Sequence, residues 1–279
     1  QWIGGLYFLF FLIIVFSNKK FNYKMTTITY SGENSYTSEE NIKSNIFKIF
    51  FYYCILSFGL FLLFNMSGVR LFNSLNITMT IISNSGFLPT NLLGNIISSN
   101  LQKIILILSL FLSMFNFYLI FNIFDKKIIL REHKEDLYIF FLSIILIIFI
   151  YLSSNSGLDL IISVLSSLSN SGLTLMKSDN LSLYFLFITM IGGSLISNTS
   201  GIKLARFYIL IKIASSEIIK LISPNSVVNK TIFGSERKIS DDNVKISFLI
   251  FISFFLSLFI LSSLLVLDDI GFEKSFKLS

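Results

Sequence analysis

Long apolar runs separated by polar connections set the pattern of this chain. They cover residues 2–16, 46–64, 101–124, 137–153, 181–195 continuing after an interruption to about 222, and 246–267. Apolar runs of helical length with few charges read as membrane-spanning helices. Between 46–64 and 101–124 lies a weaker apolar segment, Val69 to Ile82, and between 137–153 and 181–195 lies another, Leu158 to Leu168. Both are too short to cross a bilayer, so the pattern predicts helix, half-helix, turn, helix, stated twice.

The turns carry the clearest repeat. Ser83, Asn84, Ser85 and Gly86 return unchanged as Ser169, Asn170, Ser171 and Gly172, 86 positions later, each time at the end of the short apolar segment. Non-helical backbone at membrane depth is tolerated only where protein or a water-filled pathway surrounds it, so two such turns in register predict a shared ion path. A dehydrated monovalent cation needs several oxygens in place of its water, and glycine permits the backbone angles that turn carbonyls inward. Gly86 and Gly172 are therefore the leading site candidates, with the carbonyls of Ser83, Asn84, Ser85, Ser169, Asn170 and Ser171 as ligands. The half-helices would aim their negative C-terminal ends at the ion. The plain alternative is a pair of polar loops at the membrane surface.

A partial third copy follows from Ile246, with Gly271 expected as the counterpart of Gly68 and Gly157. The first run starts at Gln1 and Trp2 with neither an initiating Met nor a charged leader, and reads as the last helix of an earlier copy within a longer protein.

Composition strengthens the membrane reading. Hydrophobic residues make up 53% of the 279 positions, 32 are Phe, and only 14% are charged, far more apolar surface than a soluble core of this size buries. The net charge of +6 does not gather into a nucleic-acid patch. Instead thirteen Lys and Arg lie in residues 17–45, 125–136 and 214–245, against five (Arg70, Lys103, Lys177, Lys274 and Lys277) on the opposite connections and tail. The positive-inside rule makes the first set cytoplasmic. Lone Cys54 allows no internal disulfide or cysteine metal cluster, and single His133, in the charged run from Asp125 to Asp136, argues against a histidine-bound zinc site or a Ser/His/Asp triad. The weight of Ile, Phe, Asn, Lys and Ser is a compositional bias that makes individual Asn and Ser residues less telling.

The second candidate is the interruption within the span that begins at 181. Gly192, Gly193, Ser197, Asn198, Thr199, Ser200 and Gly201 place small and polar residues in mid-span, with Lys203 and Arg206 close behind. A phosphate-binding loop would end in Gly-Lys-Ser/Thr after a strand, which this stretch does not. Close helix packing through small residues is the remaining plain reading.

The motifs Gln1-Trp2-Ile3-Gly4-Gly5, Asn84-Ser85-Gly86-Phe87, Asn170-Ser171-Gly172-Leu173, Gly192-Gly193 through Gly201-Ile202-Lys203 and Arg206, and Leu267-Asp268-Asp269, in that order, resemble the Trk/Ktr/HKT superfamily of potassium transporters, most closely the TrkH-type subunit. The resemblance implies an all-α polytopic membrane protein built from tandem helix, re-entrant pore helix, helix repeats around one potassium pathway. It implies residues 1–16 as the last helix of a truncated first repeat, 17–45 as a cytoplasmic loop, 46–124 as the second repeat and 125–136 as a cytoplasmic loop. Residues 137–222 would be the third repeat, with an intramembrane loop at 192–203 obstructing the pathway, 223–245 a cytoplasmic linker, and 246–279 the start of a fourth repeat. Gly86 and Gly172 would be the second and third filter glycines, and Lys203 and Arg206 the basic residues behind the loop. Ile196, Thr199 and Ser200 stand where the family favours glycine, and the turns carry Asn and Ser where Thr and Ala or Gly are usual. Further implications are potassium as the transported substrate without a cofactor, a homodimer in membrane lipid, a cytoplasmic nucleotide-binding regulator of the TrkA type, no nucleic acid, and the bacterial inner membrane as the location. Filter strands one and four lie outside these residues, which leaves a non-transporting fragment or structural subunit as the alternative. An intramembrane enzyme is disfavoured, since Asp159 has no evident carboxylate partner and no nucleophile and base pair lies in a span.

Overall fold

The computed structural model describes residues 1–17, 39–90, 92–117, 119, 134–153, 157–175, 182–223, 231–233, 239–272 and 275–276. His133 and most of the 17–45, 125–136 and 223–245 connections lie outside them. The described chain forms two units, Gln1–Leu204 and Ala205–Ser279.

In the first unit the helices are α1 (Trp2–Ser17), α2 (Glu39–Met66), α3 (Leu71–Ser83), α4 (Asn100–Met114), α5 (Lys134–Ser153), α6 (Gly157–Ser169) and α7 (Ser182–Met190). Two short strands follow, β1 (Ile191–Gly192) and β2 (Ile202–Lys203), paired in parallel with Ile191 opposite Ile202. The second unit holds α8 (Leu204–Ile222), which starts at the end of the first unit, and α9 (Asp241–Leu267). Among the described residues three helical stretches are long and apolar enough to cross a bilayer: Ile49–Met66, Lys134–Leu152 and Asp241–Leu267. Phe47, Phe51 and Phe58 on α2, and Phe141, Ile145 and Phe149 on α5, face outward, as on a multi-pass membrane protein whose solvent is lipid.

The helix, half-helix, turn, helix pattern is present twice. α3 and α6 have 13 residues each, about 20 Å long at 1.5 Å per residue and so short of an apolar layer of about 30 Å. α3 packs on α1, α2 and α4, while α6 packs on α4, α5 and α7, so α4 joins the two repeats. α6 is enclosed on nearly every side, with Ile162 through Ser169 all buried. Its hydroxyls are accommodated locally: Ser163 donates to the Asp159 carbonyl and Ser167 to the Ser163 carbonyl, as Ser74, Ser109, Ser113 and Ser143 do to carbonyls on their own helices. Such back-bonding is how a serine-rich chain keeps its hydroxyls satisfied away from water.

One hydrogen-bond motif ends four helices. The residue after the cap adopts left-handed backbone, its N–H reaches back three residues and the next N–H reaches back five. Gly68 fills this place after α2, Asn84 after α3, Asn170 after α6 and Asp269 after α9. The expected equivalence of Gly271 with Gly68 is thereby corrected. Asp269, at φ 60, takes the left-handed position, and the Gly271 carbonyl instead accepts from Ser275 N–H to start the next helical turn.

Two further expectations shift. The run 101–124 is not one continuous helix: α4 ends at Met114, and Phe115 is extended at φ −75, ψ 160. The freed backbone groups find partners elsewhere, which is why the break is stable. Met114 carbonyl accepts from Ser194 N–H, Asn116 N–H donates to Asp136 Oδ1, and Phe117 N–H donates to the Ile196 carbonyl. Nor is the charged run a solvated loop up to Asp136. Lys134, Glu135 and Asp136 open α5, and Glu135 and Asp136 are 1% and 4% exposed.

Candidate functional site

The two Ser-Asn-Ser-Gly turns adopt the same backbone. Asn84 and Asn170 have φ of 49 and 56, Gly86 and Gly172 have φ of 75 and 66, and the serines between them have negative φ. Asparagine tolerates the left-handed region better than other non-glycine residues, which explains its place at both helix ends. The hydrogen bonds match as well. Asn84 N–H donates to Ile81 and Ser85 N–H to Thr80; Asn170 N–H donates to Ser167 and Ser171 N–H to Ser166. Ser83 Oγ donates to Ser85 Oγ at 3.0 Å, and Ser169 Oγ to Ser171 Oγ at 3.0 Å. In each turn residues of positive and negative φ alternate, which keeps the backbone from closing into helix.

Chain folding brings the turns together. A methyl group built on Gly86 would lie 2.8 Å from the Ser171 carbonyl oxygen, and one built on Gly172 would lie 3.9 Å from Gly86 Cα. The two glycine segments therefore touch backbone to backbone. Thr80 Oγ1 donates to the Phe87 carbonyl and pins the strand leaving the first turn. α1 closes one side: Gln1 Oε1 accepts from Ser85 Oγ at 2.8 Å, and a methyl on Gly5 would meet Tyr53 Oη, Asn198 Nδ2 and Ser83 Cβ at 2.9 to 3.1 Å. Tyr53 Oη in turn donates to the Trp2 carbonyl. Gln1, Gly5 and Tyr53 were not site candidates on sequence grounds; two adjacent glycines in an apolar helix were the available signal.

The loop between β1 and β2 lies against both turns. Asn198 Nδ2 donates to the Ile82 carbonyl at 2.9 Å, and a methyl on Gly201 would come 3.1 Å from Asn170 Nδ2. The loop's neck is a parallel strand pair so close that a methyl on Gly192 would collide with the Ser200 carbonyl. A methyl on Gly193 would sit 2.7 Å from the Met114 carbonyl and 2.9 Å from Thr199 Oγ1. Gly201, at φ 81, makes the return turn. Ser200 is exposed, and its backbone serves the neck.

Where glycine would leave the loop open, hydroxyls tie it. Thr199 Oγ1 accepts from Gly193 N–H at 3.0 Å and shares a 2.7 Å hydrogen bond with Ser197 Oγ. Lys203 is buried, and its Nζ donates to the Ser197 carbonyl at 3.1 Å, to Ser197 Oγ at 3.3 Å, to Thr199 Oγ1 at 2.9 Å and to the Thr199 carbonyl. From outside, Glu135 accepts from Ser194 Oγ at 3.2 Å and from Leu195 N–H at 3.1 Å. Glu135 was missed in the sequence because the run that contains it reads as solvated. Arg206 stands half-buried on the first turn of α8, in the second unit.

A small cavity borders the loop, lined in part by Ile82, Ser109, Ser113, Ser197 and Asn198. The first turn of α6 and the turn that leads into α3 are each tied to α4. Asp159 pairs with Lys103 of α4 at 2.6 Å, and Gln102 Nε2 donates to the Ser67 carbonyl. Among the described residues no group of three or more His, Cys, Asp or Glu could hold a metal ion.

The arrangement matches solved transporter architecture. The potassium transporter TrkH from Vibrio parahaemolyticus superposes with a TM-score of 0.82 over 99% of this chain and 59% of that one, at 18% identity. An uncharacterized cation transporter of Methanocaldococcus jannaschii is 27% identical over 243 residues, 82% of this chain and 48% of the relative. No protein-family model matches the chain. The chain thus spans about half the length of the curated relative it matches, 48%. The fold is that of TrkH, as the order of motifs predicted, and the protein is a helical membrane protein of that architecture.

Proposed function

We propose that the chain forms the central part of the pore-forming subunit of a Trk-type potassium uptake system. The observation that supports this most is the meeting of the two glycine turns backbone to backbone, with the loop 192–203 lying directly against both. The carbonyls of Ser83, Asn84, Ser85, Gly86, Ser169, Asn170, Ser171 and Gly172 line the filter, and α3 and α6 aim their negative ends at it. The loop obstructs the pathway on the side of the filter where α6 ends. Both the cation transporter of M. jannaschii and TrkH carry transport in their names, and neither is named as an enzyme. The further parts of the reading are uptake as symport across the bacterial inner membrane, a homodimer, and a nucleotide-binding regulator at the basic cytoplasmic face.

The test is cation flux through the full-length protein in liposomes, loaded with potassium and assayed by 86Rb+ exchange against potassium, sodium and choline as competitors. Uptake blocked by excess potassium but not by choline is expected. No protein-dependent flux from correctly folded protein would refute the proposal.

A further inference from the structure

The Lys203 ammonium has three N–H donors and no acceptor, and the loop presents at least four oxygens to it: the carbonyls and hydroxyls of Ser197 and Thr199. The side chain is 7% exposed, and its backbone is held on β2 opposite Gly192 at the loop's neck. Charge-assisted hydrogen bonds of this kind are about twice as strong as neutral ones. These four oxygens all come from one short segment, since residues 197, 199 and 203 lie on the same turn and its return strand.

We infer that Lys203 is a tethered cation seated in an oxygen cage of the loop itself, holding the loop in its compact form, and that this cage is a binding site for a soluble primary alkylammonium once the side chain is removed. The Ser197 and Thr199 carbonyls then face the protein's own charge instead of an ion in the pathway. The loop keeps its shape because a cation is already present inside it, and it opens only when those bonds are given up. As a device acting on the pathway, the inference rests on the transport reading above; as a statement about the cage, it stands on the geometry alone.

Removal of the side chain beyond Cβ leaves room for a chain of about three carbons and an ammonium, so n-propylammonium is the matching probe. The experiment uses the full-length protein in nanodiscs and follows backbone hydrogen exchange over residues 193–201 by mass spectrometry. Lys203→Met and Lys203→Ala are expected to exchange at least about tenfold faster there than the unmodified protein, the loss of one to two charge-assisted bonds. Millimolar n-propylammonium is expected to return Lys203→Ala to within about threefold of the unmodified rate, and to leave Lys203→Met, whose thioether fills the same space, unchanged. Unchanged exchange in both variants would overturn the inference, and so would failure of n-propylammonium to slow Lys203→Ala. Exchange in the helices α2 and α5 serves as the folding reference, and a variant that exchanges globally is replaced by Lys203→Gln. In liposomes the same variants should leak 86Rb+ faster than the unmodified protein. Absent flux from the unmodified protein refutes the transport proposal alone, because the exchange result does not depend on it.

Discussion

Alanine at Gly86 and alanine at Gly172 look like the same mutation in a repeated motif, yet the structure assigns them different costs. Both positions have left-handed backbone, φ 75 and φ 66, where a Cβ costs about 1–2 kcal/mol. At Gly172 that is the main cost, because the nearest atom to the new methyl is Gly86 Cα at 3.9 Å, an ordinary contact. At Gly86 the methyl would come 2.8 Å from the Ser171 carbonyl oxygen, closer than packed groups adopt, and backbone on one side must shift. Overpacking of this kind adds about 1–3 kcal/mol, bringing Gly86→Ala to about 2–5 kcal/mol against about 1–2 for Gly172→Ala. The displaced atom is also one of the proposed ion ligands, so the injury falls on conduction as well as on stability. The assay is 86Rb+ uptake by full-length protein in liposomes, normalised to the monodisperse fraction on size exclusion. Gly86→Ala should lose at least about tenfold in uptake, while Gly172→Ala stays within about threefold. Equal losses, or a greater loss at Gly172, would refute the reasoning, since the asymmetry comes only from how the two turns meet.

Three other outcomes are expected. Glu135→Ala removes the acceptor for the buried Leu195 N–H and should lower stability by about 1–3 kcal/mol, with Glu135→Gln losing less; thermal unfolding in detergent reads the difference. Asn84→Gly and Asn170→Gly should be tolerated in folding, because glycine is the usual left-handed residue at a helix end, whereas alanine at either position should cost about 1 kcal/mol in the same assay. Gly192→Ala should fail to accumulate in membranes, the neck having no room for a methyl beside the Ser200 carbonyl, while Gly59→Ala, which meets nothing within 4 Å, should express as the unmodified protein does.

Much of this was legible in the chain because membrane helices advertise themselves: an apolar run long enough to span, or conspicuously too short to, is a one-dimensional signal. The two half-helices came out within a residue or two of Leu71–Ser83 and Gly157–Ser169, and the Ser-Asn-Ser-Gly repeat pointed to the turns because identical backbone demands left identical residues. Compositional bias hid the rest. Asn84 and Asn170 were named for their carbonyls, but in an asparagine-rich chain nothing marked each as the left-handed residue that ends a half-helix. Glu135 and Asp136 read as solvent-exposed because charge in a polar run normally is; only folding shows them buried against the loop and the break after Met114.

By itself, then, the sequence determined the order of the helical segments among the described residues, the shortness of α3 and α6 and the turns that end them, since each depends on residues close together along the chain; the break after Met114 it did not show. Tertiary structure alone decided that Gly86 abuts Ser171, that Asn198 caps the end of the first half-helix, and that Lys203 turns into its own loop. Those contacts join residues up to 116 positions apart, and they follow from backbone polar groups that, out of water, must find partners wherever the packing of helices brings them.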